Sequence, residues 1–252
     1  MIEVKNVSKL YGEKMILNDV SVSFPKGKIT CLVGGNGTGK STLLSIISRL
    51  VAKDSGQINL LDKDIVGFKN RDFAKKLSIL KQANHPNVRL TVKELVAFGR
   101  FPHSQGRMTT LDKEKVDESV AFMGLTDIQD QYIDELSGGQ RQRTFLAMVL
   151  AQDTEYILLD EPLNNLDMKH SVEIMKILRV LADDYGKTII IVVHDINYAS
   201  SYADYIAAVK DHKIIHFGLT DDIIREDIMK EVFDIDMTIV DNCNNKVCIY
   251  FK

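Results

Sequence analysis

The distribution of apolar and polar residues along the chain moves between a two-residue and a 3.6-residue period. Ile2 to Val7, Val20 to Phe24 and Lys28 to Val33 read as strands, and a glycine-rich stretch from Gly34 to Gly39 hands the third of them to a helix from Lys40 to Arg49. Gln57 to Leu61 and Leu77 to Leu80 are further strands. Thr91, with Glu94 three residues later, makes a capping box that opens a helix running to about Arg100. Asp112 to Met123 and the stretch beginning near Ser137 read as helices, and Tyr156 to Leu159 as a short apolar strand. A helix from Met168 to Asp184 and a strand from Thr188 to Val193 follow. Beyond Ile206 the pattern predicts short strands with one helix around Asp221 to Lys230.

A mostly helical block from about Ala83 to Leu150 interrupts an otherwise regular strand-helix alternation. That order predicts an α/β fold with a parallel sheet and an inserted helical subdomain. The expected organisation is one domain over residues 1–252, with a catalytic core from 1–82 and 151–252 and the helical subdomain over about 83–150. No internal repeat, low-complexity tract or long linker is visible.

Composition fits this picture. Of the 252 residues, 45% are hydrophobic and 27% charged, enough for a full-sized core. Lys and Arg number 32 against 35 Asp and Glu, a formal charge of -3, so no global basic field would gather nucleic acid. The opening residues lack the basic-then-apolar layout of a secretory signal. No apolar run approaches the roughly 18 residues of a spanning helix, so a cytosolic chain is expected unless a partner holds it at a membrane. Cys31, Cys243 and Cys248 form neither an even framework nor a metal knuckle, and reduced thiols are the simplest reading.

Three segments carry chemistry. Gly34, Gly35, Asn36, Gly37, Thr38, Gly39, Lys40 and Ser41 spell GGNGTGKS between a strand and a helix, with Thr42 next. In that context backbone N–H groups and a helix N-terminus can wrap phosphates, Lys40 supplies a cation to the β/γ-phosphates, and the Ser41 hydroxyl is offered to Mg2+. Tyr156 to Glu161 reads YILLDE, an apolar strand that delivers Asp160 and Glu161 to the same sheet edge. Asp160 is placed to hold Mg2+, through water, and Glu161 to act as general base on the attacking water.

The third segment is LSGGQ, Leu136 to Gln140, lying between the other two. With it the chain resembles the ABC ATPases over essentially its whole length. The resemblance implies a P-loop NTPase core with an N-terminal antiparallel β subdomain, ATP and Mg2+ as cofactors, and a head-to-tail homodimer. In that dimer Ser137, Gly138, Gly139 and Gln140 serve the nucleotide bound by the other copy. It further implies that Tyr11 stacks on adenine, that Gln82 touches Mg2+ and reports nucleotide state to two transmembrane permease subunits, and that His194 contacts the γ-phosphate. Asn165 to Asp167 would connect the two active sites, with Asp167 near nucleotide. His85, His103, His170, His212 and His216 show no metal-ligand spacing and read as surface or packing residues.

Two departures stand out. Gly35 occupies a position where the family commonly has proline, which should loosen the phosphate loop. The loop after Glu161 reads LNNLD in place of the commoner serine-alanine or threonine-alanine form. With FGRFPH (Phe98 to His103), DELSGGQRQR (Asp134 to Arg143) and LDEPLNNLDMKHS (Leu159 to Ser171), the chain looks like the branch that imports iron-siderophore complexes, working with a permease and an extracytoplasmic siderophore-binding protein at the cytoplasmic membrane face. Importers of haem, cobalamin or a metal share the same chemistry. A soluble ABC protein acting on ribosomes or DNA fits less well, since the chain has one phosphate loop and no heptad run.

Overall fold

In a computed structural model that describes residues 1–81, 89–164, 166–242 and 245–251, the chain begins with β1 (Ile2–Tyr11), β2 (Lys14–Phe24), β3 (Ile29–Val33), α1 (Lys40–Ile47), β4 (Ser55–Leu60), β5 (Lys63–Asp64), α2 (Asn70–Ala74) and β6 (Leu77–Leu80). Four helices come next: α3 (Val92–Phe98), α4 (Phe101–Ser104), α5 (Thr110–Phe122) and α6 (Gly138–Ala151). The remainder is β7 (Tyr156–Asp160), α7 (Met168–Asp183), β8 (Thr188–Val192), α8 (Ile196–Tyr202), β9 (Tyr205–Lys210), β10 (Lys213–Leu219), α9 (Thr220–Ile223), α10 (Glu226–Phe233), β11 (Thr238–Asn242) and β12 (Asn245–Ile249). Gln82, His85, Asn165 and Cys243 lie outside the described residues. No helix of the described residues is long and apolar enough to cross a membrane.

The first sheet has the order β2-β1-β4-β5 and is antiparallel. Its hairpin is longer than the sequence pattern predicts: β1 runs on to Tyr11, which pairs with Lys14 across a turn where Gly12 has φ 60°. Register shifts between Val4 and Val7 and again near Lys9 break the two-residue alternation, which is why only the ends of the hairpin stand out in the sequence.

The second sheet, β10-β9-β3-β8-β7-β6, is parallel from β9 through β6, with β10 antiparallel at one edge. Such sheets are covered on both faces, and β3, β7 and β8 are buried at every position. Register fixes what meets at the carboxyl edge. Leu32 is level with Val192, Val192 with Asp160, and Leu159 with Leu80. The residues that follow these strands, Gly34, Glu161, His194 and Lys81, therefore emerge side by side.

Helices α3 to α6 enter the chain between β6 and β7, and α6 packs on α3 and α5. Their apolar residues, including Val96, Val120 and Phe145, join one core with Ile29, Ile157 and Ile189 of the sheet. Downstream, α8 has no counterpart in the sequence reading. The helix expected around Asp221 to Lys230 is instead two helices, α9 and α10, parted by an extended Arg225 with φ -140° and ψ 146°.

Candidate nucleotide site

The phosphate loop turns back between β3 and α1 because its glycines permit it. Gly34 has φ 134°, and a Cβ there would lie 2.0 Å from the Val209 carbonyl oxygen. Gly39 has φ 105°, and a Cβ would lie 2.4 Å from the Ile16 carbonyl oxygen. Lys40 is 5% exposed; its Nζ donates to the carbonyls of Gly34 at 2.9 Å and Gly35 at 2.7 Å. Burial lowers its pKa, and the nearby carboxylates of Glu161 and Asp160 oppose that shift. The Thr38 hydroxyl closes the loop on the Gly35 carbonyl at 3.0 Å.

Ser41, in the first turn of α1, donates from Oγ to Asp160 Oδ1 at 2.7 Å. Burial raises the Asp160 pKa; the Ser41 hydrogen bond works against this and Glu161 adds to it. A hydroxyl and a buried carboxylate side by side form a hard-oxygen donor pair that suits a cation such as Mg2+. Tyr11, Ser41, Thr42, Lys81 and Asp160 share a cavity of about 350 Å³, with Tyr11 at its rim, 53% exposed.

Glu161 sits one residue beyond β7 with φ 53°, the left-handed region, a conformation that costs a non-glycine residue about 1–3 kcal/mol. His194 and Asn164 hold the carboxylate: Oε1 lies 2.8 Å from His194 Nε2, and Oε2 accepts from the Asn164 amide. His194 is delivered by the end of β8 and is exposed enough to meet a ligand.

The LSGGQ segment lies at the N-terminus of α6. Ser137 is its N-cap and forms a capping box with Gln140, at 3.3 Å and 3.0 Å. Ser137 and Gly138 are exposed, whereas Gly139 is buried. Asp167 caps α7, accepting from the His170 N–H at 2.9 Å and pairing with His170 Nδ1 at 2.8 Å. That backbone bond, ahead of the imidazole, holds the Asp167 carboxyl below its ordinary pKa.

Lys40, Ser41, Asp160, Glu161 and His194 thus meet at one edge, with Tyr11 and Thr42 in the adjoining cavity; Ser137 to Gln140 and Asp167 cap two neighbouring helices. Gln82 and Asn165 fall outside the described residues. Sequence reasoning missed Asn164, whose amide reaches back to the carboxylate three residues earlier. His170, half-buried, pairs with Asp167 and lies against Gly139. His103, His212 and His216 bond to Gln152, Ile16 and Glu231 respectively.

Comparison with known proteins places this architecture. Residues 17–164 match the family described as ABC transporter. The chain is 55% identical over 252 residues, all of both chains, to the petrobactin import ATP-binding protein YclP of Bacillus subtilis (strain 168). It is 45% identical over 250 residues, 99% of this chain and all of the relative, to the petrobactin import ATP-binding protein FatE of Bacillus anthracis. Among solved structures, the dimeric post-hydrolysis state of the ATP-binding cassette MJ0796 bound to ADP and Pi superposes with a TM-score of 0.77 at 30% identity, over 87% of this chain and 99% of that one. The phosphate loop, the paired carboxylates at the sheet edge and this full-length likeness lead to one conclusion: the chain belongs to the ABC transporter family, as an ATP-binding subunit whose ATP hydrolysis is coupled to transport.

Proposed function

We propose that this ATPase drives import of an iron-siderophore complex. It would sit peripherally at the cytoplasmic membrane face, as an ATP-dependent homodimer beneath two permease subunits that an extracytoplasmic siderophore-binding protein supplies. The observation that carries the reading is the 55% identity, from end to end, to a petrobactin import ATP-binding protein. Residues 1–252 act as one ABC ATPase domain, with about 83–150 as the helical subdomain. Exposed Phe98 and Phe101, 56% and 61% accessible, support a permease contact on the described part of 83–103.

The site residues divide the labour. Backbone N–H groups from Gly34 to Gly39, with Lys40, hold the β/γ-phosphates, and Tyr11 stacks on adenine. Ser41 and, through water, Asp160 would hold Mg2+, with Gln82 completing that set; the ion would supply charge neutralisation at the phosphate oxygens. Glu161 takes a proton from the attacking water, oriented by His194 and Asn164. Ser137 and the backbone of Gly138 to Gln140 face the partner copy's nucleotide, and Asp167 lies where the two sites communicate.

The test is iron-siderophore uptake and growth under iron limitation in cells lacking the chain, complemented by wild type or by Glu161→Gln. Rescue by wild type alone supports the proposal. Normal uptake without the chain would return the cargo to haem, cobalamin or another ligand. In the purified protein, Glu161→Gln should keep ATP binding, lose about 10²- to 10⁴-fold in turnover and accumulate as a closed dimer. Lys40→Ala should weaken nucleotide binding itself.

A further inference from the structure

Between the LSGGQ segment and the catalytic carboxylate lies one side chain that the mechanism above leaves idle. His170 sits in the first turn of α7, with its ring against the first turn of α6. A Cβ built on Gly139 would lie 2.9 Å from His170 Cδ2 and 3.2 Å from Nε2, so the ring closes over the glycine and leaves no room for a side chain there. At its other nitrogen, Nδ1 meets Asp167 Oδ1 at 2.8 Å. An imidazole donating from Nδ1 to a carboxylate is held in one orientation, and its other edge is then fixed against α6.

The helix carrying His170 follows directly on the segment that opens with Glu161. Asn164 anchors the start of that segment on the Glu161 side chain, and Asp167 anchors its end on His170. A shift of the α6 N-terminus, where Ser137 and Gly138 are exposed, presses on the half-buried His170 ring, because close packing at the buried Gly139 leaves no gap between the two.

We propose that His170 is a positioning residue that couples the LSGGQ end of α6 to the N-terminus of α7, and so links engagement of a partner copy's nucleotide to the placement of Glu161. The proposal rests on the nucleotide-site reading above and adds to it a named relay. His170 acts through Gly139 and Asp167 and touches no substrate. Both of its contacts are required: ring packing without the Nδ1 bond lets the ring slide, and the bond without the ring leaves α6 uncoupled.

Two variants separate these halves. His170→Phe keeps a ring against Gly139 and cannot donate to Asp167, whereas His170→Asn keeps an amide donor and has no ring. In the purified full chain, each should lower kcat for ATP hydrolysis by at least about tenfold, within the range a misplaced catalytic group costs. ATP affinity, measured with labelled ATP, and the thermal unfolding midpoint should stay at wild-type values. Combined with Glu161→Gln, each variant should also reduce ATP-dependent dimerisation in sedimentation. Wild-type kcat in either variant overturns the relay, since one of the two contacts would then be dispensable. A wild-type chain that binds no ATP would defeat the nucleotide-site reading itself, and that failure shows before any variant is made.

Discussion

Gly34 and Gly35 stand side by side in the phosphate loop and answer to different constraints. Gly34 combines a left-handed φ with a backbone contact that a methyl group would overlap. Gly35 lies outside the left-handed region, and a Cβ there would meet only Thr38 Cγ2, at an ordinary 3.7 Å. Its contribution to the loop is its carbonyl, which accepts from both Lys40 and Thr38. The expectation that glycine here loosens the loop therefore translates into entropy of the unfolded chain. Gly35→Ala should stabilise the protein by about 0.4–1 kcal/mol and leave ATP affinity intact, visible as a raised thermal midpoint with an unchanged binding isotherm. Gly34→Ala should lose nucleotide binding. At this scale the motif residues are legible because phosphate chemistry leaves few choices of residue type. Asn164 and His170 are less so, since their roles depend on where the chain folds back. The asparagine in LNNLD signals a changed contact without naming Glu161, and only the Asp167-to-His170 spacing, the position of a helix cap, hints at the imidazole.

Elements were readable where local chemistry decides them. The capping boxes at Thr91 and Ser137 start α3 and α6, and the buried runs of β3, β7 and β8 read directly as parallel-sheet strands. Elements decided by tertiary contact were not. Helix α8 has only seven residues, and Asn197 ties it to β12 through reciprocal bonds with the Cys248 backbone, at 2.8 Å and 3.2 Å. Between the helices of the insertion, the decisive contact is a buried ion pair. Arg100, just past α3, meets Asp112 of α5 at 2.9 Å and donates to the Ala151 carbonyl at the end of α6 at 2.8 Å. Hydrogen bonds from the Thr109 backbone and hydroxyl, and then the Arg100 guanidinium, hold the Asp112 carboxyl at about 2, below its ordinary 3.8. A carboxylate depressed in the folded state contributes stability that is complete above its unfolded pKa and is lost as pH falls through the folded one. Asp112→Ala leaves Arg100 buried and unpaired and should cost about 3–5 kcal/mol at neutral pH in urea unfolding. That gap from wild type should narrow as pH falls from about 4 towards about 2.

At the scale of the molecule, the two halves of the chemistry sit on different elements. The phosphate loop, Asp160, Glu161 and His194 gather at the carboxyl edge of one sheet, whereas Ser137 and Gly138 are presented at the exposed end of α6. Two copies related by a two-fold axis would each complete the other's site, as a symmetric dimer of self-complementary surfaces requires. The arrangement makes a demanding expectation for mixed dimers. Lys40→Ala damages the loop of its own chain, and Ser137→Arg blocks only the site whose loop belongs to the partner. Each variant alone disables both sites of its homodimer. A mixed dimer collects both lesions in one site and leaves the other, formed by the Ser137→Arg chain's loop and the Lys40→Ala chain's LSGGQ segment, fully wild type. Equal mixtures should recover ATPase activity, up to about a quarter of wild type, since random pairing makes half the dimers mixed and each mixed dimer has one intact site. If LSGGQ instead served the nucleotide on its own chain, every chain in the mixture would carry a lesion in its own site, and mixing would restore nothing.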